Sequence, residues 1–218
     1  GLREISADDA FMLYATHGLS PTQIKSLGYT FNEQRFAEKM KKHQEISRKG
    51  ALKKFAGGLA DHSEKTIMGH TATHLLQAAL SSTLGAHIKQ AGSLVEADRL
   101  RFDFVHSEKI PGETLERIEN LVQKNIFGSF EVLLKEATLE QAKKSGALAF
   151  FEDRYAAKVR IVSIGDFSKE LCAGTHLRDS SEVGLFKIVS ESSIAKGVRR
   201  VEAATGAVAW EMLKRSYI

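Results

Sequence analysis

Two short motifs, about a hundred residues apart, constrain what this chain can fold into more than any other feature. The first is His70-Thr71-Ala72-Thr73-His74, which falls in a stretch from Ile67 to Leu84 that reads as one long helix. Residues four apart on a helix share a face, so both imidazoles can reach one ion. The second is Cys172-Ala173-Gly174-Thr175-His176, a thiol and a third imidazole around a glycine. Taken singly, each is more often an ordinary helix histidine or an inert buried thiol. Taken together, three nitrogens and one sulfur make a zinc set, and a fold that uses it must bring the two motifs into contact. The spacing alone is also that of zinc metalloproteases, but those need a glutamate after the first histidine as general base. Thr71 occupies that position here, which argues against a protease.

The rest of the chain supplies the frame. Ser6 and Asp9 form an N-cap pattern before the apolar run Ala10 to Tyr14, and Gly18 stops it. Pro21 starts a short second helix, and Asn32 caps a third over 33–49, with Phe36, Met40 and His43 along one side. Between Lys39 and Lys54 seven basic residues stand against one acidic residue, Glu45, and Gly57-Gly58 follows. A boundary is placed there, giving units 1–56 and 57–218. The basic run reads equally as a solvated helix face and as an RNA-backbone contact. Asp61 and Glu64 suggest the cap of the long helix, and Gly85 its end. Strands are expected at His87–Gln90 and Leu100–Val105 around a turn at 96–98, then a helix opened by Pro111 with Leu115, Ile118, Leu121, Val122 and Ile126 on one side. Further strands are expected at 130–134, 159–164, 185–189 and 197–201, with a short helix at Leu139–Lys144. Without regular β-α-β alternation, the pattern predicts an α+β fold, helices packed on a largely antiparallel sheet, preceded by a small helical segment.

Composition removes several classes. The longest apolar stretches fall short of the ~18 residues that span a bilayer, and Gly1-Leu2-Arg3-Glu4 lacks the apolar core of a signal peptide. The expectation is a cytoplasmic protein with no membrane partner. A single cysteine cannot form an internal disulfide, which leaves Cys172 free for a metal or for chemistry. With 31 basic and 27 acidic residues the net charge is +4, which permits an anionic partner without demanding one.

Several motifs in order carry a family resemblance: His70 to Leu76, Gln90-Ala91-Gly92-Ser93-Leu94-Val95, Arg101-Phe102-Asp103-Phe104, Gly165-Asp166-Phe167-Ser168, Cys172 to His176, and Gly197 to Ala203. From about Ser63 onward the chain resembles the editing domain of alanyl-tRNA synthetase. Upstream, Ile5 to Tyr14 followed by Gly18 looks like the end of that enzyme's helical tRNA-recognition region. The resemblance implies an aminoacyl-tRNA deacylase that cleaves serine or glycine from mischarged tRNA(Ala). Such correction is needed because a pocket for alanine discriminates only ~10–200-fold against neighbours differing by a methylene or a hydroxyl. It also implies that His70, His74, Cys172 and His176 hold Zn2+, and that Gln90 lies near the amino-acid side chain. Arg199 and Arg200, adjacent on a predicted strand, point to opposite faces, so at most one reaches the terminal phosphate of the tRNA. Asp166 and Thr175, beside the cysteine motif, are candidates for orienting an imidazole or a water.

The chain departs from the family in one respect. Only Lys53 to Thr66 stands where family members carry a small β-barrel between the helical region and the histidine helix. The aminoacylation domain, where ATP and alanine bind, and the C-terminal domain belong to the parent enzyme and have no counterpart in this sequence. The expectation is therefore an excised fragment of alanine-tRNA ligase. Two other readings stay open: a free-standing or threonyl-type editing domain, and a non-catalytic zinc-stabilised tRNA-binding module.

Overall fold

A computed structural model of the chain describes residues 3–17, 21–41, 59, 61, 63–149 and 158–216, with the side chains of 15–17 and 216 excepted. The chain divides into two compact units, Gly1–Phe55 and Ala56–Ile218. Gly18, His43, the Gly57-Gly58 pair and most of the basic run and of the Lys53–Thr66 interval lie outside the described residues.

In the first unit, β1 (Arg3–Glu4) pairs in parallel with β2 (Tyr29–Thr30). Helix α1 (Ala7–His17) is entered through Ser6, whose hydroxyl accepts from the Asp9 backbone N–H at 3.1 Å and donates to the Asp9 carboxylate at 2.7 Å. Helix α2 (Pro21–Ser26) follows, and the described part of α3 covers 33–41 with Asn32 Oδ1 accepting from the Arg35 N–H at 2.9 Å. Ala10, Ile24, Phe31 and Phe36 form its small core, and Phe36 meets Phe11 and Tyr14 edge-on.

The second unit is built around α4 (Glu64–Leu84). No charged residue occurs between Ile67 and Leu84, and a helix without a polar face belongs inside a protein. Its residues from Gly69 to Leu80 are accordingly buried without exception. On one side lies an antiparallel sheet with the strand order β3 (Gln90–Val95), β4 (Leu100–Val105), β9 (Val198–Thr205), β8 (Phe186–Ala195). Leu100, Phe102, Phe104, Val201 and Ala203 turn their side chains from it into the main core, where Leu75, Leu76 and Leu80 of α4 and Ile118, Val122 and Ile126 of α5 (Gly112–Phe127) meet them. A second antiparallel sheet, β5 (Val132–Thr138), β6 (Lys158–Ile164) and β7 (Ser168–Leu171), touches α4 through β7. Strand β6 reads as a nearly continuous apolar run because both its faces are covered. Val162 and Ile164 join the main core, whereas Val159 and Ile161 pack with Ala142 and Ala147 around α6 (Leu139–Lys144).

The fold is α+β with antiparallel sheets and a helical N-terminal segment, as the pattern predicts. Individual elements differ. The strand expected at His87–Gln90 lies at Gln90–Val95, because the small residues Ala91, Gly92 and Ser93 pair with β4 across a register shift between Gln90 and Gly92. The cap of α4 is Ser63, whose hydroxyl accepts from the Thr66 N–H, while Asp61 sits two residues earlier and accepts from the Ser63 N–H at 2.8 Å. Strand β7 and helix α7 (Gly206–Ser216) have no counterpart in the sequence expectations. Among the described residues no helix is long and apolar enough to cross a membrane.

Gly69 shows how closely α4 and the first sheet approach. A Cβ there would lie 2.7 Å from Val95 Cγ1, in the main core. An exposed helical glycine replaced by alanine would gain about 1 kcal/mol, but overpacking a full core costs about 1–3 kcal/mol. Gly69→Ala is expected to lower the urea midpoint; a raised midpoint would mean that Val95 yields freely.

A candidate metal centre on helix α4

His70 and His74 leave α4 one turn apart, on the side where β7 and the loop after it pack. That loop is held in place from two sides, by Arg160 of β6 and by α4. The Cys172 N–H donates to the Arg160 carbonyl at 3.1 Å, and the Arg160 guanidinium returns through Nε to the Cys172 carbonyl at 2.9 Å and through Nη2 to that of Gly174. On the helix side, His70 Nδ1 lies 2.8 Å from the Thr175 carbonyl, and the Leu177 N–H donates to Thr71 Oγ1 at 3.1 Å. Gly174 is required by this docking. A Cβ on it would stand 2.9 Å from His70 Nδ1 and closer still to Cε1.

The outcome is a cluster of His70, His74, Cys172 and His176 in which one donor atom from each lies within 4.8 Å of all the others. The His176 ring stacks on His70 at 4.2 Å between centroids and meets His74 edge-on at 4.5 Å. Because a carbonyl oxygen can only accept, His70 carries its hydrogen on Nδ1, and its bare Nε2 faces Cys172 Sγ at 3.4 Å. Both ring nitrogens of His176 and Nδ1 of His74 are buried without a hydrogen-bond partner. Buried polar atoms are costly when unpaired, and a cation held by one donor atom from each of the four residues would satisfy a nitrogen of His176 that has no other partner.

The electrostatics agree with that use. Burial lowers the His70 pKa to about 4, against the raising effect of the Thr175 carbonyl and with a further lowering from the Arg160 charge. Burial also holds His74 well below its ordinary value, helped by His70 and Arg160, and lowers His176, helped by His74, His70 and Arg160. All three imidazoles are therefore neutral at pH 7, with lone pairs ready for an ion. Burial pushes the Cys172 thiol up to about 11, so an entering metal would displace its proton. The three nitrogens and one sulfur fit a borderline-soft divalent ion. These residues could hold a metal ion.

The other residues singled out in the sequence are placed as follows. Gln90, half-buried at the bulge of β3, donates from Nε2 to Ser93 Oγ at 3.0 Å. On β9, Arg199 is buried and paired with Glu191 of β8, while the half-buried Arg200 grips Asp103 of β4 through two hydrogen bonds of 2.6 and 2.8 Å. Thr175 acts on His70 through its backbone carbonyl. Asp166 lies at the turn between β6 and β7, on the wall of a cleft of about 590 Å³ that Ser81, Ser82, Ser168 and Lys169 also line. The sequence reading missed Arg160 and Glu170. The only available signal was the position of Glu170 two residues before the cysteine; its burial on β7 appears only in the fold.

Comparison with known proteins places this geometry in a family context. Residues 159–202, which include Cys172 and His176, match the family described as the threonyl and alanyl tRNA synthetase second additional domain. The chain is 45% identical over 198 residues to the alanine-tRNA ligase of Treponema denticola, covering 89% of this chain and 33% of that protein. It is 43% identical over 205 residues to that of Borrelia garinii, covering 92% and 34%, and 50% identical over 154 residues to that of Lysinibacillus sphaericus, covering 71% and 17%. The chain thus spans about a third of the length of the first two relatives, or less of the third. Over most of its own length it is a homologue of alanine-tRNA ligases, corresponding to a segment of them that contains the second additional domain.

Proposed function

We propose that this chain is the zinc-binding editing region of a cytoplasmic alanyl-tRNA synthetase and that it hydrolyses the ester joining serine or glycine to the 3′-terminal ribose of tRNA(Ala). The observation that carries the reading is the cluster of His70, His74, Cys172 and His176, the first two buried and the others half-buried, in a homologue of alanine-tRNA ligase. Zinc suits this donor set, and when bound it would supply a Lewis acid able to polarise an ester carbonyl or to lower the pKa of a water toward ~7. His70, His74, Cys172 and His176 would hold it, His70 through Nε2 because Nδ1 is committed to Thr175.

The chain's own side chains supply the rest of the site. Gln90 would offer its amide to the hydroxyl of an attached serine, at the cost of its bond to Ser93. Of the two arginines, Arg200 is the one assigned to a phosphate of the tRNA end, since its side chain is 27% exposed against 10% for Arg199. Bidentate pairing with Asp103 holds its guanidinium in a fixed plane for that contact. Activation of alanine and charging of the tRNA are assigned to the parent enzyme's other domains.

The test is deacylation of seryl-tRNA(Ala) by the purified chain, with alanyl-tRNA(Ala) and a chelated sample beside it. The expected result is faster loss of serine than of alanine, abolished by chelation and restored by zinc. Intact, zinc-loaded protein that leaves seryl-tRNA unhydrolysed would overturn the catalytic reading in favour of a structural ion, for which closed four-donor sites are common.

A further inference from the structure

Resting on the reading of the quartet as a metal centre, one buried group remains without a role. Glu170 stands on β7, opposite Val162 of β6, and its side chain is 6% exposed. A carboxylate in such surroundings is expensive unless something opposite in charge or a hydrogen-bond donor meets it. The nearest cationic side chain of the cluster, Arg160, is already spent on the carbonyls of Cys172 and Gly174. Glu170 Oε1 has no hydrogen-bond partner, and Oε2 lies 3.4 Å from His74 Nδ1. His74 Nδ1 is in turn a buried nitrogen without any other partner, on a side chain 4% exposed.

His70 has a fixed ring in the same cluster. There, Nδ1 is fixed by the Thr175 carbonyl and Nε2 is thereby directed into the cluster. His74 has no backbone carbonyl in that place and has Glu170 instead. We propose that Glu170 is a positioning residue of the centre: its carboxyl oxygen Oε2 accepts a hydrogen bond from His74 Nδ1–H, which fixes the imidazole with Nε2 toward the ion. Metal-bound histidines are commonly held in this way, and loss of the outer partner weakens metal binding by ~10–100-fold.

Glu170→Gln and Glu170→Ala in the full chain test this, with zinc affinity read by competition against a chromophoric chelator. In parallel, 15N-resolved NMR of the zinc-loaded protein reads which His74 nitrogen carries the hydrogen. In wild type the hydrogen is expected on Nδ1. Glutamine can still accept it through its amide oxygen, so that variant should keep the Nδ1–H signal and bind zinc about 10-fold more weakly, whereas alanine should lose the fixed tautomer and about 100-fold in affinity. Wild-type affinity in both variants, or a wild-type His74 bound to zinc through Nδ1, overturns the proposal. Should the alanine variant fail to fold, the near-isosteric glutamine variant decides alone: unchanged affinity is then the refuting result. Wild-type protein without stoichiometric zinc would instead overturn the reading of the quartet, and this proposal with it.

Discussion

His74→Ala is expected to strip the chain of zinc and of seryl-tRNA hydrolysis together. An outer partner of a ligand contributes ~10–100-fold to metal affinity, and losing a donor itself has to cost more than that. The substitution acts three times over. It removes one of the four donors, it leaves the buried Glu170 carboxyl group without its neighbour, and it opens a cavity beside α4 where the surrounding residues are fully packed. The helix itself should survive, because alanine is the best helix former and α4 is anchored by Leu75, Leu76 and Leu80 on its other side. Metal content after gel filtration and the deacylation rate are the two readings, with circular dichroism as the check on folding. Zinc retained at one ion per chain would sink the assignment of His74 as a ligand, and lost zinc with retained hydrolysis would separate the ion from the chemistry.

What the sequence discloses about this centre, and what it conceals, follows from the range over which each interaction acts. Helix α5 is legible because its cause is local: Pro111 at the entry, Gly128 at the exit and an apolar stripe through Ile118, Val122 and Ile126. The histidine motif of the quartet is legible for the same reason, since the spacing of His70 and His74 is a property of a single helix, and the cysteine motif because its thiol and imidazole stand close together around a glycine. Arg160 and Glu170 are of another kind. Arg160 looks like any charged residue in a strand, and its role arises only when β6 and β7 pair and the following loop curls back over its guanidinium. Glu170 looks like an outward strand residue until β7 is packed against α4. Strand β7 is itself concealed because Ser168-Lys169-Glu170-Leu171 has little intrinsic β-propensity and is made a strand by pairing with Ile161 to Ile164. The placement of Asp61 as the cap of α4 fails at the opposite extreme of distance, since two capping residues within three positions compete and the register is set by which hydroxyl meets Thr66.

The smallest change with a large expected effect is Gly174→Ala, one methyl group that leaves every donor in place. Its Cβ would fall inside contact distance of the His70 ring, 2.9 Å from Nδ1 and 3.3 Å from Nε2. Neither side can retreat cheaply. His70 is carried by a helix that is buried from Gly69 to Leu80, and the loop is tied by Arg160 to two of its carbonyls and by Thr175 to His70 itself. Overpacking of this kind costs about 1–3 kcal/mol, and it is relieved most readily by breaking the bond from Thr175 to His70. That frees the imidazole to rotate, so Nε2 is no longer directed at the ion, while Cys172 and His176 move with the displaced loop. A misplacement of ~1 Å in such a constellation costs about 100-fold, and a loss of that order is expected in both zinc affinity and deacylation. The exposed neighbour provides the control: Ala173→Gly, two residues short of Thr175, should leave affinity within a few-fold of wild type. Undiminished zinc affinity in Gly174→Ala would show that the loop yields without disturbing His70, and that the tight docking of loop on helix is not what aligns the donors.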